Sequence, residues 1–197
     1  MRQPAEHRRG QIVEATLRLV VERGPDRVTT QAIADAVGLT QPALFRHFPR
    51  KLDIWMAVLD WLIGETAESR WPRALAQPLP PLGRLRALVA TQLDLIAHTP
   101  AVPALLFSRE LHVENEALRS GLAGLMGRFI GHLRALLDEA AAANALRPGL
   151  DTALAAKAVA TVPAGTALRW SLSGHRFDIV AEGLESFDVL MQGIVLC

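Results

Sequence analysis

Apolar residues recur at intervals of three and four along most of this chain, which is the spacing that places them on one face of an α-helix. The first such segment covers residues 7–23, with Ile12, Ala15 and Leu19 on one face, and Gly24 provides a stop signal after it. No segment alternates apolar and polar residues for long enough to indicate a β-sheet. The pattern therefore predicts an all-α fold of about nine helices.

The remaining predicted helices are separated by glycine, proline and capping residues, with Thr29 or Thr30 as the N-cap of the second. Four prolines within 71–81 predict a linker after the fourth helix. Pro163 is expected to kink or break the eighth helix. The approximate spans of the second to ninth helices are 30–37, 41–48, 50–71, 85–98, 102–111, 118–136, 151–172 and 177–195.

Charge is distributed unevenly, although the net formal charge of the 197 residues is only +1. Residues 1–55 contain nine Lys/Arg and six Asp/Glu, so an anion-binding surface is expected in the first quarter of the chain. The mean hydropathy of +0.21 is high, but charges interrupt the chain too often for a membrane span of about 18 apolar residues. The high value favours a helical protein that buries additional surface by dimerising.

Residues 29–48 have the features of two short helices joined by a tight turn. Ala34 is small enough to lie where two helices cross closely, and Gly38 allows the left-handed turn conformation that a side chain would resist. Thr40 is placed to cap the second of these helices. The outer face of that helix carries polar and small side chains, which suits entry into the major groove of DNA.

Ten residues in and around this second helix are the candidate DNA contacts. The basic side chains Arg46, His47, Arg50 and Lys51 are expected to bind phosphates, since no carboxylate lies between positions 40 and 51. Thr30 is a further candidate contact. The residues expected to set the sequence preference are Thr40, Gln41, Pro42, Ala43 and Phe45.

The string VTTQAIADAVGLTQPALFRHFPRKLDIWMAVLD, residues 28–60, resembles the TetR (tetracycline-repressor-like) family of bacterial transcriptional regulators. The resemblance lies in a helix-turn-helix followed by an aromatic-x-His-Phe segment and a Lys-x-x-Leu-like segment. It implies a DNA-binding domain at 5–66, with the helix-turn-helix at about 29–48, and a ligand-binding and dimerisation domain at 67–197. Family members often have tyrosine at the position of Phe45, so we expect an apolar contact there instead of a hydroxyl–phosphate contact.

The function implied by this resemblance is a homodimeric, ligand-responsive repressor that binds a palindromic operator in double-stranded DNA. The alternatives are a ligand-independent DNA-binding dimer, an activator or, less readily, a helical enzyme. The resemblance also favours a dimer interface formed by the last two helices, and packing against the fifth predicted helix is the alternative explanation of their apolar residues. Those residues are Ala155, Ala156, Val159, Ala160, Val180, Leu184, Phe187, Met191 and Ile194.

Bulky apolar residues of the predicted ligand domain and of the fourth helix are candidates for lining an effector cavity. Few charged residues occur among them, which favours an apolar or neutral effector of moderate size. Four glycines of the seventh helix, at 121, 124, 127 and 131, either allow close helix contact or leave room for this ligand. The candidate lining residues are Trp61, Phe107, Met126, Phe129 and Trp170.

No catalytic, metal-binding or cofactor-binding motif is found in the sequence. His98, His112 and His132 lie on different predicted helices without an i, i+4 pair, and zinc-ligand spacing is absent. We therefore expect no enzyme activity, no metal and no cofactor. The single cysteine, Cys197, and the lack of an uninterrupted hydrophobic N-terminal segment favour a cytoplasmic protein without a membrane partner.

Overall fold

The computed structural model describes residues 5–195, and over that part of the chain it confirms the predicted all-α architecture. A 3-10 helix, Pro25–Arg27, follows α1, and a π-helix, Gly64–Arg70, joins α4 to α5. Cys197, on which the compartment prediction partly rests, lies outside the described residues. The α-helices are α1 Ala5–Arg23, α2 Thr30–Ala36, α3 Gln41–His47, α4 Lys51–Ile63, α5 Trp71–Leu75, α6 Pro81–His98, α7 Ala101–Phe107, α8 Arg109–Glu114, α9 Glu116–Ala142, α10 Thr152–Leu172 and α11 Ile179–Gln192.

The fourth predicted helix continues further than its sequence indicates, but with a change of geometry. The α-helical part ends at Ile63, and the chain continues through the π-helix into α5. Pro72 is the second residue of α5, directly after the π-helix, and it has no N–H to donate to the carbonyl groups of that preceding turn. The predicted start of the linker at Trp71 is therefore wrong, and the non-helical connection to α6 covers residues 76–80.

The sixth predicted helix is divided into α7 and α8 at Ser108, which has extended backbone angles. The Ser108 Oγ accepts a hydrogen bond of 3.1 Å from the Leu111 N–H and thereby caps α8. The same hydroxyl donates to Asp26 Oδ1 at 2.6 Å. One largely buried serine thus ends the preceding helix, starts the next and links it to the 3-10 helix after α1.

The helix α10 continues through Pro163 without interruption, so the break that was one of the two expected outcomes does not occur. Pro163 is buried, and its ring nitrogen cannot donate to the carbonyl oxygen of Val159. The rest of the 21-residue helix supplies enough hydrogen bonds and packing to tolerate this loss.

The described residues form two compact units. Unit 1 contains the described residues up to Gly64 together with Thr99–Ala123, and in it α1 packs against α2, α4 and α7. Unit 2 contains Glu65–His98 and the described residues from Gly124 onwards. The functional roles predicted for 5–66 and 67–197 stay predictions. The largest fully buried side chains of unit 1 are Ile12, Ile33, Leu44, Phe48, Ile54 and Trp55.

In unit 2, α10 and α11 pack against each other and against α6, the fifth helix of the sequence prediction. Most of the apolar residues that the sequence left open between dimerisation and internal packing are buried within the chain, whereas Val180 and Leu184 are half-buried. Internal packing therefore accounts for most of this set, and a different set of apolar side chains on α10 and α11 is exposed. The buried residues are Ala155, Ala156, Val159, Ala160, Phe187, Met191 and Ile194.

The glycines of α9 have two different surroundings. A Cβ added at Gly121 would lie 2.1 Å from Leu59 Cδ2, so the absence of a side chain permits close approach of α9 to α4. A Cβ at any of the other three glycines would have no atom within 4 Å. Close packing therefore explains Gly121, and the positions 124, 127 and 131 are open.

We expect Gly121→Ala to lower the free energy of unfolding by about 1–3 kcal/mol, because Leu59 is 3% exposed and cannot move without disturbing other core contacts. The matched control is Gly127→Ala in the same helix, which should raise that free energy by about 0.8–1 kcal/mol through helix propensity. Urea unfolding followed by circular dichroism measures both. Equal effects at the two positions would contradict the packing explanation.

Candidate nucleic-acid interface

The turn between α2 and α3 is determined by residues within or next to it. Thr29, not Thr30, is the N-cap of α2, and its Oγ1 accepts from the Ala32 N–H at 3.1 Å. Gly38 has φ of 66°, which confirms the predicted left-handed conformation. The Leu39 N–H then bonds the Ala34 carbonyl oxygen at 2.9 Å, a hydrogen bond typical of a Schellman helix end.

The helix α3 presents one face to the core of unit 1 and another to solvent. Thr40 caps it as predicted, accepting a 3.3 Å hydrogen bond from the Ala43 N–H. Leu44 is fully buried, whereas Pro42 and Phe45 are exposed, Phe45 to 37%. Arg46 is also exposed, and Gln41, Ala43 and His47 are half-buried. The seven-residue helix thus offers small, amide, aromatic and basic groups on its outer side.

Arg9 of α1 holds the C-terminal end of α3, and sequence reasoning missed this role. Its Nη1 donates to the His47 carbonyl oxygen at 2.7 Å, and its guanidinium lies 4.1 Å from the centre of the Phe48 ring. The hydrogen bond satisfies one of the carbonyl groups that every helix leaves free at its end, and the stacking adds a cation–π contact. No local signal identifies Arg9, because 38 residues separate it from His47.

Gln41, the first residue of α3, is connected to α2. Its Nε2 donates to Thr30 Oγ1 at 2.7 Å. Thr30, another candidate DNA contact, thus lies beside α3, and its hydroxyl accepts from the Gln41 side chain. Both residues are half-buried, and their side chains form a hydrogen-bonded pair at the edge of the exposed face of α3.

The basic side chains at the end of α3 and just after it differ in how strongly other groups of the protein engage them. Arg50 Nη2 lies 2.6 Å from Asp53 Oδ1, and the Arg50 backbone N–H donates to the other carboxylate oxygen at 2.9 Å. The side-chain hydrogen bond from Arg50 is the main cause that lowers the pKa of Asp53 below its usual value, and the same pairing raises the pKa of Arg50. Lys51 Nζ lies 6.0 Å from the centre of the Trp55 ring. Exposed Arg46 is therefore the least engaged of these cations.

The five candidate effector contacts fall in both units. Unit 1 contains Trp61, which is half-buried, and Phe107, which is 50% exposed. Unit 2 contains Met126, which is half-buried, and Phe129 and Trp170, which are buried. Their role in binding an effector stays a prediction.

The two buried candidates have partners within the protein. The Phe129 ring centre lies 5.4 Å from that of Trp71. The Trp170 ring lies 4.0 Å from that of His175, and its Nε1–H donates to the Phe177 carbonyl oxygen at 3.0 Å. Both side chains therefore contribute to the packing of unit 2.

The three histidines considered for a metal site are occupied separately. His98 Nδ1 is 3.3 Å from Asp94 Oδ1, a ring nitrogen of His112 is 2.9 Å from a backbone carbonyl oxygen, and His132 meets Trp71 edge to face. Within residues 5–195 no three His, Cys, Asp or Glu side chains are grouped as metal ligands would be. No helix in the same range combines the length and the apolar character needed to cross a membrane.

Comparison with known proteins identifies the same region. Residues 12–58, which include all of α2 and α3, match the model for bacterial regulatory proteins of the tetR family. The nucleoid occlusion factor SlmA of Vibrio vulnificus is 31% identical over 134 residues, which is 68% of either chain. SlmA is itself a TetR-family protein.

Solved structures agree over nearly the whole length. A TetR transcription regulator from Haloarcula marismortui superposes with a TM-score of 0.81 at 20% identity, covering 97% of this chain and 100% of that one. The transcriptional regulator FadR from Bacillus subtilis, in complex with stearoyl-CoA, gives 0.78 at 20% identity over 94% and 98%. These likenesses establish the fold. With the family model and the SlmA relative, they show that this chain belongs to the TetR family of bacterial regulatory proteins.

Proposed function

We propose that this chain is a homodimeric, sequence-specific transcriptional regulator that represses genes at a palindromic operator and responds to a small-molecule effector. The observation that carries the proposal is the two-sided α3. Leu44 is fully buried, while Pro42, Phe45 and Arg46 are exposed. A helix held in this way, with small and hydrogen-bonding groups outside, suits insertion into the major groove.

The proposed DNA contacts divide by chemistry. Arg46, His47, Arg50 and Lys51 supply the salt-dependent attraction to phosphates, with Arg46 as the most available cation. Phe45 is exposed enough to contact a sugar or a thymine methyl group. Two copies of α3 spaced about 34–36 Å apart would reach successive major grooves on one side of the duplex. Thr30 is a further proposed contact, and the remaining residues that would set sequence preference are Thr40, Gln41, Pro42 and Ala43.

The proposed dimer forms through the exposed apolar side chains of the last two helices. On α10, Leu154, Leu168 and Leu172 are 64%, 45% and 81% exposed and recur at intervals that return to one helix face. On α11, Val189 is 66% exposed. Leu168 and Leu172 lie one helical turn apart, and a contiguous exposed apolar patch marks an interaction site. A two-fold pairing of both helices would bury them in a four-helix interface.

The effector response is proposed from the predicted apolar cavity residues and from the fold. The structurally similar FadR is described in complex with stearoyl-CoA, a ligand with a long apolar chain. An effector that prefers one spacing of the two α3 helices would change operator affinity by a coupling free energy of about 1–3 kcal/mol. The fourth predicted helix, 50–71, would form a rod of roughly 30 Å that couples the effector to α3, but its α-helical part, α4, has 13 residues and ends where the π-helix begins. The candidate contacts are Trp61, Phe107, Met126, Phe129 and Trp170.

A second candidate function is DNA binding that serves nucleoid occlusion, the role named for SlmA. The match to the Vibrio vulnificus protein over 68% of either chain favours it. Such a factor would use the same α3 surface and the same dimer. It differs in that its sites would lie across the chromosome and would not control neighbouring genes. A ligand-independent dimer and an activator are further alternatives that share this surface.

Selection of bound duplexes from a random double-stranded library tests the proposal. We expect the purified protein to enrich an inverted repeat. Arg46→Ala should weaken binding to all duplexes alike and reduce the dependence of log affinity on log salt by about one unit, whereas Gln41→Ala should change the preferred sequence. Failure to enrich any inverted repeat at low ionic strength would overturn the proposal.

The cellular role is tested by mapping the enriched sites and measuring transcription beside them. Deleting the gene should raise transcription next to an operator if the protein represses, and lower it if the protein activates. Sites dispersed over the chromosome without a change in adjacent transcription would favour the nucleoid occlusion role. A repressor released from its operator by an added apolar compound would support effector control.

A further inference from the structure

An open groove lies on the surface of unit 1, where α7, α8 and the start of α9 meet. It measures about 540 Å³, and all of its lining residues fall within 106–119. The apolar ones are Leu106, Phe107 and Val113. Phe107 is 50% exposed and Val113 is 75% exposed. Two large apolar side chains that line one groove and face solvent favour a docking surface.

The shape of the groove is fixed by hydrogen bonds at the ends of its helices. The Ser108 Oγ, at the break after α7, accepts from the Leu111 N–H at 3.1 Å. A ring nitrogen of His112 lies 2.9 Å from the Leu105 carbonyl oxygen, which connects α8 to the end of α7. Asn115 Nδ2 donates to the Leu111 carbonyl oxygen at 2.9 Å, just before α9 begins. Because the groove is preorganised, a partner loses little free energy in ordering it.

The charges in the groove leave the guanidinium of Arg109 unengaged. Arg119 donates to both carboxylate oxygens of Glu116, from Nε at 2.8 Å and from Nη2 at 2.5 Å, so these two charges compensate each other. Arg109 is exposed, and over the described range of the chain it forms no ion pair or side-chain hydrogen bond. The groove therefore combines apolar surface with one unpaired positive charge among its described residues.

We propose that this groove is a docking site for a short segment of another protein that carries a bulky apolar side chain and, close to it, a carboxylate. The apolar side chain would pack against Phe107 and Val113, and the carboxylate would pair with Arg109. Arg109 and Val113 are four residues apart in α8 and share one face, so a single segment can reach both. The inference goes beyond the proposed function and does not depend on it, because no candidate DNA contact lines the groove.

The exposure of the apolar side chains favours a protein partner over a small molecule or a nucleic acid. Small-molecule sites bury about 70–90% or more of a ligand in a concave space, whereas Phe107 and Val113 stand at least half exposed beside an open groove. Nucleic acids are held by several cations, and here Arg119 is already paired with Glu116. Aromatic and arginine side chains are enriched at protein interfaces, and Phe107 and Arg109 supply one of each.

The test selects peptides from a random phage-displayed library on the immobilised full-length protein. We expect the enriched peptides to share an apolar residue with a nearby aspartate or glutamate, and a synthetic peptide of that consensus is the probe. Its affinity should fall about tenfold for Val113→Asp and about tenfold for Arg109→Glu, because each variant places a carboxylate where the peptide brings its own. Phe107 is also a candidate effector contact, so these variants leave it unchanged.

Matched controls place the same substitutions outside the groove. Val21→Asp replaces a valine of α1 that is 48% exposed, and Arg128→Glu reverses an exposed arginine of α9. Both should bind the probe peptide as the wild type does. Circular dichroism shows whether each variant is folded.

An exchange of charges makes the role of Arg109 independent of folding defects. A probe peptide with lysine in place of its acidic residue should bind the wild type about tenfold more weakly and should recover most of this loss on Arg109→Glu. A variant that had only lost its structure could not recover binding in this way. Failure of Arg109→Glu to bind the lysine peptide more tightly than the wild type does would overturn the pairing.

The other outcomes also decide the inference. It is overturned if no peptide is enriched, if the enriched peptides share no acidic residue, or if Val113→Asp binds the probe as tightly as Val21→Asp does. Sedimentation distinguishes the remaining occupant. If Val113→Asp changes the oligomeric state of the protein and Val21→Asp does not, a second copy of this chain covers the groove and a different protein does not.

Discussion

Replacing Leu168 and Leu172 together by glutamate should convert the proposed dimer to a monomer and lower its affinity for the selected inverted repeat by about a thousandfold or more. Burying one leucine contributes about 1.5–3 kcal/mol, and a two-fold interface would lose four of them. The four carboxylates would also repel one another across the symmetry axis. A monomer retains only one half-site, so its binding approaches the non-specific level, which is typically about 10³-fold or more weaker.

Leu79→Glu is the matched control for this double variant. Leu79 is 43% exposed, close to the 45% of Leu168, but it lies in the connection between α5 and α6. The Leu79→Glu variant also replaces an exposed leucine by a carboxylate, but outside the proposed interface. Its oligomeric state and operator affinity should therefore stay as in the wild type. Analytical ultracentrifugation and fluorescence anisotropy give the two readouts. A double variant that sediments as a dimer with unchanged affinity would place the interface elsewhere.

Arg9→Ala should lower operator affinity by about tenfold to a hundredfold, although Arg9 lies outside the helix-turn-helix. The substitution removes the 2.7 Å hydrogen bond to the His47 carbonyl oxygen and the stacking on Phe48. A hydrogen bond from a charged donor contributes about 1.5–3 kcal/mol to stability. A free-energy loss of this size corresponds to about a tenfold to hundredfold loss of affinity. Without it the C-terminal turn of α3, which carries Arg46 and His47, is no longer held against α1.

Arg8→Ala separates this positioning effect from a simple loss of charge. Arg8 is the adjacent residue and carries the same charge, but its contact to the Val37 carbonyl oxygen is long at 3.5 Å. We expect a smaller loss of affinity for Arg8→Ala, equal for selected and random duplexes. If Arg8→Ala and Arg9→Ala weaken binding to the same extent on every duplex, Arg9 contributes only its charge.

The helix-turn-helix could be predicted from the sequence because the interactions that form it are local. The caps by Thr29 and Thr40 each join residues three positions apart. The turn depends on the backbone freedom of Gly38 itself, which does adopt a positive φ. Local signals of this kind are present in any short window of sequence.

The contacts that the sequence did not predict join distant residues. Arg9 and His47 are 38 positions apart, and Asp26 and Ser108 are 82 apart. For the same reason the sequence could not separate the buried apolar residues of α10 and α11 from the exposed ones. Packing against α6 determines which face of each helix is covered. The sequence identified both helices as rich in apolar residues but could not say which partner each apolar face would meet.

The joining of Asp26 to Ser108 has a consequence for how the chain folds during synthesis. Unit 1 draws its helices from two stretches, and α7, whose residues Ala101, Val102 and Leu105 are buried, completes the packing around α1. A ribosome adding about 5–20 residues per second needs roughly 3–12 s to proceed from the first stretch to the end of the second. During that interval the apolar residues of α1 that α7 later covers remain exposed. A nascent chain halted near residue 66 should therefore be captured by chaperones that bind exposed apolar segments, and one halted well beyond residue 123 should escape them.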